Sequence, residues 1–448
     1  MNSYKLYFYQ CLRSKAVIIS LLMIFTLGIM SIIIGKEYLQ RQQDAIAQVQ
    51  AYQKEHLERQ VSLHNEDLGL LLYYAQFAYI YPLNPLAGVS IGQGDINPTI
   101  KRITIKTFEG QKYDTDLVNP TSLQSGNLDL SFVIIYLFPL LIIVLTYNVI
   151  SEETENGTWR LVAIQSRSKI IFLLSKLGVR FLILLLVLTL LLLVTKFVLK
   201  TPFDFTFFKI ILVCTLYILF WFTLSFFVVL FKKSSGLNAL TLLCTWLILI
   251  ILIPAGINGY ISYKYPLPEA LSTVISQRDG YHTKWDTDKR ETIEEFYDHY
   301  PQFKKYGYPT EGFNWLWYYA MQQMGDDHSA ESQKELEYKI QNRERLSSQI
   351  AAVIPNMHLQ LTLNQLAGTS MQQHMQYLEG AKKFHEKLRL FFYPKVFEEK
   401  KAEIINWDQF TPEYCSSRTN SKTYLSFLPL MLATLLLILI SIPQLRKL

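Results

Sequence analysis

The feature that most constrains this chain is the clustering of its apolar residues into windows long enough to cross a bilayer. Half of the 448 residues are hydrophobic and the mean hydropathy is +0.16. A soluble chain of this size would spread such residues over two or three mixed domains. Here they concentrate in stretches of about 20 residues, the length that spans a hydrocarbon core. Six are read as spans: Ala16–Gly35, Leu130–Ile150, Leu177–Leu199, Ile210–Phe231, Leu237–Asn258 and Tyr424–Pro443. Each is expected to be a helix, because a segment in lipid must satisfy its own backbone hydrogen bonds. The third alone carries charges, Arg180 and Lys196 near its ends, which are expected to snorkel.

Lysine and arginine near the spans set the expected orientation. With the N-terminus in the cytosol, the inner segments hold Lys5, Arg13, Lys15, Arg160, Arg167, Lys169, Lys176, Lys232, Lys233, Arg446 and Lys447. Their acids are Glu152, Glu153 and Glu155. The outer segments 36–129 and 259–423 carry 28 basic and 33 acidic residues. The net charge of +6 is thus an inner surplus, a topology signal that gives no reason to expect nucleic-acid binding. The first span is read as an uncleaved anchor, since its apolar run is long and Lys36, Glu37 and Tyr38 follow with no small-residue cleavage site. Cys415 is the one cysteine expected outside, so the outer regions must hold together by packing.

The fold class expected is therefore an all-α polytopic membrane protein with both termini cytosolic and two mainly helical outer regions. Its parts are 1–35 (N-terminus and first span), 36–129 (first outer region), 130–258 (spans two to five), 259–423 (second outer region) and 424–448 (sixth span and tail). Segment 36–80 should prolong the first span as a helix that Tyr81-Pro82 ends. Segment 83–129 reads as loop, apart from a possible strand over Ile100–Lys106. The second outer region opens as an aromatic, irregular stretch through Trp317. Helices over about Ser329–Ala352 and, after a break at Gly368, Thr369–Phe392 follow. The aromatic stretch from Trp285 to Trp317 suits either a lipid- or peptide-binding surface or a small core.

The segment after the second span carries the strongest functional signal. It reads Ser151-Glu152-Glu153-Thr154-Glu155-Asn156-Gly157-Thr158-Trp159-Arg160-Leu161-Val162-Ala163-Ile164-Gln165-Ser166-Arg167-Ser168-Lys169. The acids head a short helix, where the macrodipole favours them. Gly157 and Thr158 make a bend or an N-cap, and Arg160 to Ile164 form a short half-apolar helix. Such an element lies on the membrane face and offers a hydrophobic knob with charged flanks. A capped juxtamembrane loop without further role is the plainer reading.

From Phe138-Pro139-Leu140 to Lys176-Leu177-Gly178 the chain resembles the type-2 family of ABC transporter permeases. Glu153, Glu155, Gly157 and Thr158 match that family's E-x-E-x-G-T, and Ser166-Arg167 its S-R. Ser175-Lys176 stands where G-K is usual, and Trp159 where Leu is common. The stretch Pro355 to Phe391, with Asn364-Gln365-Leu366-Ala367-Gly368-Thr369 and His374 at its centre, looks like a subgroup with a large outer domain between spans five and six. The resemblance implies a coupling helix over about 151–169 that docks into an ATPase subunit through Glu153, Glu155, Gly157, Thr158, Arg160 and Arg167. It implies a permease subunit exporting an unnamed substrate across the bacterial cytoplasmic membrane. ATP and Mg would then sit on a separate ABC ATPase, with a second permease copy or paralogue, membrane lipids and a possible outer partner as the other contacts. The alternative is a subunit that transmits mechanical work to an outer assembly without moving cargo.

The chain contains no G-x-x-x-x-G-K-[ST], H-E-x-x-H or C-x-x-C, so neither its own ATPase nor another enzyme activity is expected. Met371, His374 and Met375 recur at i, i+3 and i+4, and soft donors of that kind suit copper(I). A packed helix with a hydrogen-bonded histidine explains the same spacing, and no metal is expected.

Overall fold

The computed structural model of the chain describes residues 3–112, 127–165, 168–309, 312–416 and 426–446. It is predominantly helical, and six of its helices are long and apolar enough to cross a membrane. The chain is thus a multi-pass membrane protein by the length and composition of its helices.

Helix α1 (Ser3–Arg13) leads into α2 (Lys15–His64), which is 50 residues long. At about 1.5 Å per residue α2 far exceeds the ~30 Å of a hydrocarbon core, so its polar second half projects beyond the bilayer. The sequence predicts that projection but not its end. Asn65-Glu66-Asp67 stops α2, and the Asp67 carboxylate accepts the Leu70 N–H at 3.0 Å to start α3 (Leu68–Tyr74). Phe77–Ile80 then forms a fully buried strand, β1, where continued helix is expected. It pairs antiparallel with β2 (Ile100–Ile103), the strand anticipated there, and parallel with β3 (Glu413–Tyr414). This small sheet joins the two inter-span regions into one distal domain.

The second span is α4 (Leu130–Glu155), and α5 (Trp159–Gln165) follows it. The third is α6 (Lys169–Val198) and the fourth α7 (Phe205–Val229). The fifth, α8, covers 235–264 through Ser235–Leu247, a π turn at Ile248–Leu252 and Ile253–Lys264. A second π turn, Val133–Leu137, lies in α4. Both π turns precede a proline, Pro139 and Pro254, which has no N–H to close the ladder. The neighbouring carbonyls find other donors: the Tyr217 hydroxyl reaches the Ile135 carbonyl at 2.8 Å, and the Asn356 amide reaches that of Leu249 at 2.9 Å.

The aromatic stretch expected to be irregular is largely helical. It folds into α9 (Glu269–Asp286) and α10 (Lys289–His299), with a 3-10 turn at Pro301–Tyr306. Helix α11 (Trp315–Ala351) starts some fourteen residues before the expected Ser329, because Trp317, Tyr318, Tyr319 and Met321 are buried on it as core. Core, then, is where most of the aromatic run goes. Helix α12 (Pro355–Ala367) ends at Gly368, whose φ of +84° is the left-handed cap that glycine favours. Ser370 and Gln373 form a capping box at the start of α13 (Met371–Phe397). The last span is α14 (Leu428–Leu445), so Tyr424, its expected start, lies outside the described residues.

Two hydrophobic cores result, one within the spans and one aromatic-rich in the distal domain. Helix α12 belongs to the span core although it follows the distal α11. Leu359, Leu363 and Leu366 are buried among the spans, and His358 meets the Ser426 carbonyl at the head of the last span at 2.5 Å. Its polar face is satisfied as well. Gln360 Nε2 donates to Asn364 at 2.9 Å, and the Ser90 hydroxyl donates to Asn364 at 2.7 Å. The distal domain is therefore keyed into the spans by a helix buried on both faces.

Candidate functional site

The 146–176 segment closes the end of the spans away from the distal domain. Helix α4 terminates in the short turn Ser151–Glu155, with Glu152 and Glu153 at its head as the dipole argument expects. Gly157 follows with φ +72°, and its N–H reaches the Thr154 carbonyl at 3.1 Å. Gly157 therefore closes one helix and reverses the chain before α5 begins at Trp159. Space around it is open: a Cβ built there meets nothing within 4 Å.

Glu153 is the hub of the segment. Its Oε2 lies 2.6 Å from the Thr158 hydroxyl, and its Oε1 lies 3.0 Å from Lys176 Nζ on α6. The Lys176 side chain is only 2% exposed and also has Glu152 at 3.9 Å and the Val149 carbonyl at 3.4 Å. Glu155 makes the second fastening. Its carboxylate accepts the Ser235 N–H and the Ser235 hydroxyl, both at 2.8 Å, so it caps the start of α8. Ser151 and Ser235 meet through their hydroxyls at 2.7 Å. The segment is bolted to spans three and five, and α1 also packs there through the Tyr7–Phe172 edge contact at 5.7 Å.

Glu153 and Thr158 are thus occupied within the chain, and Glu155 is exposed but engaged with Ser235. The part turned outward is α5. Arg160 is exposed, Leu161 is 59% exposed and Ile164 83%, while Trp159 is half-buried against the span core. Sequence reasoning named the acids and Arg160, and recognised a half-apolar helix without listing Leu161 and Ile164 as site residues. Arg167, also named, lies outside the described residues. In sequence Lys176 counts as an inner-side cation and as the lysine of Ser175-Lys176, and its spacing from Glu153 gives no sign of their contact.

Arg180 does not snorkel. It is 9% exposed and donates to the Leu145 carbonyl in α4. A guanidinium that finds a carbonyl on a neighbouring span can stay buried. Lys196 instead sits over the Phe203 ring, 4.2 Å from its centroid.

Met371, His374 and Met375 are not brought to one point. The two methionines line a cleft together with Glu337 and Lys382, whereas His374 lines a separate cavity with Tyr38, Tyr81 and Tyr377. Adjacent helical residues diverge by about 100°, which separates His374 from Met375. Burial pulls the His374 imidazole down to about 4, so it is neutral at physiological pH. Among the described residues no three His, Cys, Asp or Glu side chains are arranged to hold a metal ion.

Residues 271–414 match a family described as a domain of unknown function, DUF3526, which covers most of the distal domain from α9 to β3. No curated protein and no solved structure matches the chain.

Proposed function

We propose that the chain is the membrane-spanning permease subunit of an ABC transporter, driven by a separate ATPase that docks on the 151–165 segment. The observation that carries this is the combination of rigid anchoring and outward presentation. Glu153 and Glu155 fix the segment to spans three and five, and Arg160, Leu161 and Ile164 are left facing outward. A rigid surface element joined to two spans by charged hydrogen bonds can pass a push from a partner into the bundle. In this reading there are six spans with both termini cytosolic, in the bacterial cytoplasmic membrane. ATP and Mg are bound by the partner, and a second permease copy or paralogue completes the pathway for an exported substrate.

One observation favours the mechanical alternative. Helix α12 locks the distal domain to the fifth and sixth spans through Asn356 and His358. Movement of the spans would then reach the distal domain directly, with or without cargo crossing. Two measurements separate the readings. Loss of a co-purifying ATPase on charging Leu161 and Ile164 tests the docking, and ATP-dependent uptake of labelled compounds into inside-out vesicles tests transport.

A further inference from the structure

The hairpin between the third and fourth spans ends α6 on a residue that the turn does not favour. The Thr201 N–H reaches back to the Lys196 carbonyl at 3.2 Å, the long bond of a Schellman closure. Such a closure passes through one left-handed residue, usually glycine or asparagine. Here that residue is Lys200, with φ +53°. A side chain held in that region carries strain, and strain of this kind gathers at functional sites. Lys200 is exposed.

Its surroundings are basic and aromatic, and contacts join them into one patch. Lys196 Nζ lies over Phe203, and Phe203 meets Phe208 edge-on with ring centroids 4.7 Å apart. Lys209, next along α7, lies over the Phe205 ring, 4.7 Å from its centroid. Phe197, Phe203, Phe205 and Phe208 are all exposed. Between residues 196 and 209 the sequence holds one acid, Asp204. Its carboxylate accepts the Phe207 N–H at 2.9 Å and so caps the start of α7.

The patch lies at the edge of the bilayer. About twenty residues of α6, roughly 30 Å, separate Lys176 at one end of the spans from Lys196 at the other, the thickness of a hydrocarbon core. Leu199 packs on Gly88, which lies against Gly35 where the apolar run of the first span stops. A Cβ built on Gly88 would be 2.9 Å from both Leu199 Cδ1 and the Gly35 carbonyl oxygen. The helix dipole accounts for part of the charge, since cations are favoured at the end of α6. Lys209 stands near the start of α7, where they are not. An interfacial anchor uses Trp or Tyr, whose rings carry a polar tip. These rings are phenylalanine, and their polar companions are ammonium ions. Apolar rings rimmed by three cations are complementary to acyl chains below a negative phosphodiester.

We propose that this hairpin binds an anionic phospholipid of the leaflet on the distal-domain side. Lys196, Lys200 and Lys209 hold its phosphodiester, and its chains lie along the phenylalanines. Docking of an ATPase at the opposite end of the spans can succeed or fail independently of this.

The test is native mass spectrometry of the full chain in mild detergent with equal amounts of dioleoyl phosphatidylglycerol and dioleoyl phosphatidylcholine, which share their chains and differ in charge. The parent is expected to prefer the first by about tenfold or more, at roughly fivefold per lysine near a headgroup. Lys196→Gln, Lys200→Gly and Lys209→Gln together should abolish the preference, and arginine at the same three positions should keep it. Lys200→Gly alone should weaken it about fivefold. That variant should be at least as stable as the parent in detergent, because glycine relieves the left-handed turn. Lys304→Gln with Lys383→Gln and Lys387→Gln, exposed lysines of the distal domain, is the control for lost charge and should keep the preference. Equal binding of both lipids by the parent, an undiminished preference in the triple hairpin variant, an equal loss in the control, or competition by soluble glycerophosphate would each overturn the proposal.

Discussion

Lys176 of the third span and Glu153 of the second meet at 3.0 Å in a contact from which water is almost absent, the lysine side chain being 2% exposed and the glutamate 16%. The pair fixes where the exposed segment sits relative to the spans. Removing one member of a buried pair strands the other charge and typically costs about 3–5 kcal/mol, whereas replacing both can be nearly neutral. We predict that Lys176→Met lowers the melting temperature of the solubilised protein strongly. The double change Lys176→Met with Glu153→Met should recover much of the loss. A thermal-shift double-mutant cycle measures the coupling. Additive losses would mean that the pair does not hold the segment.

Gly157 tests the backbone alone. Its φ is +72° and its surroundings are open, so Gly157→Ala adds no clash and costs only the left-handed conformation, roughly 1–2 kcal/mol. Gly157→Asn should cost less, because asparagine tolerates that region. Thermal unfolding of the two variants side by side gives the order. An alanine variant as stable as the parent would place Gly157 in ordinary helical conformation.

The Glu109 carboxyl should contribute less to the stability of the distal domain as pH rises to about 7. Burial holds the Glu109 carboxyl up to about 7, and its Oε2 has no hydrogen-bond partner. Its nearest cation is Lys112 at 3.8 Å, which is itself bound to Glu337 at 2.6 Å. A carboxyl raised in the folded state binds its proton more tightly there than when unfolded. Its contribution is therefore complete below about 4.5 and is lost as pH rises to about 7. The loss is on the order of 3 kcal/mol. Chemical denaturation of the parent and of Glu109→Gln between pH 5 and 8 should show this slope in their difference, with the variant gaining on the parent up to about pH 7 and the more stable of the two at pH 8, because the buried His374 acts equally in both.

Arg389 organises the centre of the same domain. It is buried, pairs with Asp326 at 3.0 Å and donates to the Ile105 carbonyl at 3.1 Å and to that of Lys106 at 2.6 Å. Asp326 in turn accepts the Phe108 N–H at 2.9 Å and the Glu109 N–H at 3.1 Å. Arg389→Met should cost about 3–5 kcal/mol and expose the 105–112 stretch to protease. Asp326→Asn, which retains a polar group able to accept from those N–H groups, should cost less.

The spans were legible because an apolar window of bilayer length has few other outcomes. Their ends were less so. The third span is expected to start at Leu177, yet Lys169 and Lys176 both belong to its helix, and Lys176 is buried by a partner from another span. Helices α9, α10 and the first half of α11 were hidden by their aromatic content. Tyr297, Tyr300 and Trp317 belong to a stretch that suits a binding surface as well as a core, and in three dimensions they and Tyr319 are core. Helix α12 was the hardest to read. Asn356, His358, Gln360 and Asn364 are polar, and tertiary contacts give each of them a partner. At the exposed segment the bend at Gly157 was correctly anticipated, but the acids were assigned to a partner when their nearest ligands lie within the chain.

The central claim is that α5 docks an ATPase. The most direct measurement is tagged purification from the native host in mild detergent, with mass spectrometry of bound chains and an ATP hydrolysis assay. Wild type and the Lys383→Glu control are predicted to bring down a chain with a phosphate-binding P-loop and its activity. Leu161→Glu with Ile164→Glu should lose both while the protein stays folded. Absence of any such chain from the wild type across several detergents, or its undiminished recovery with the double variant, would contradict the account.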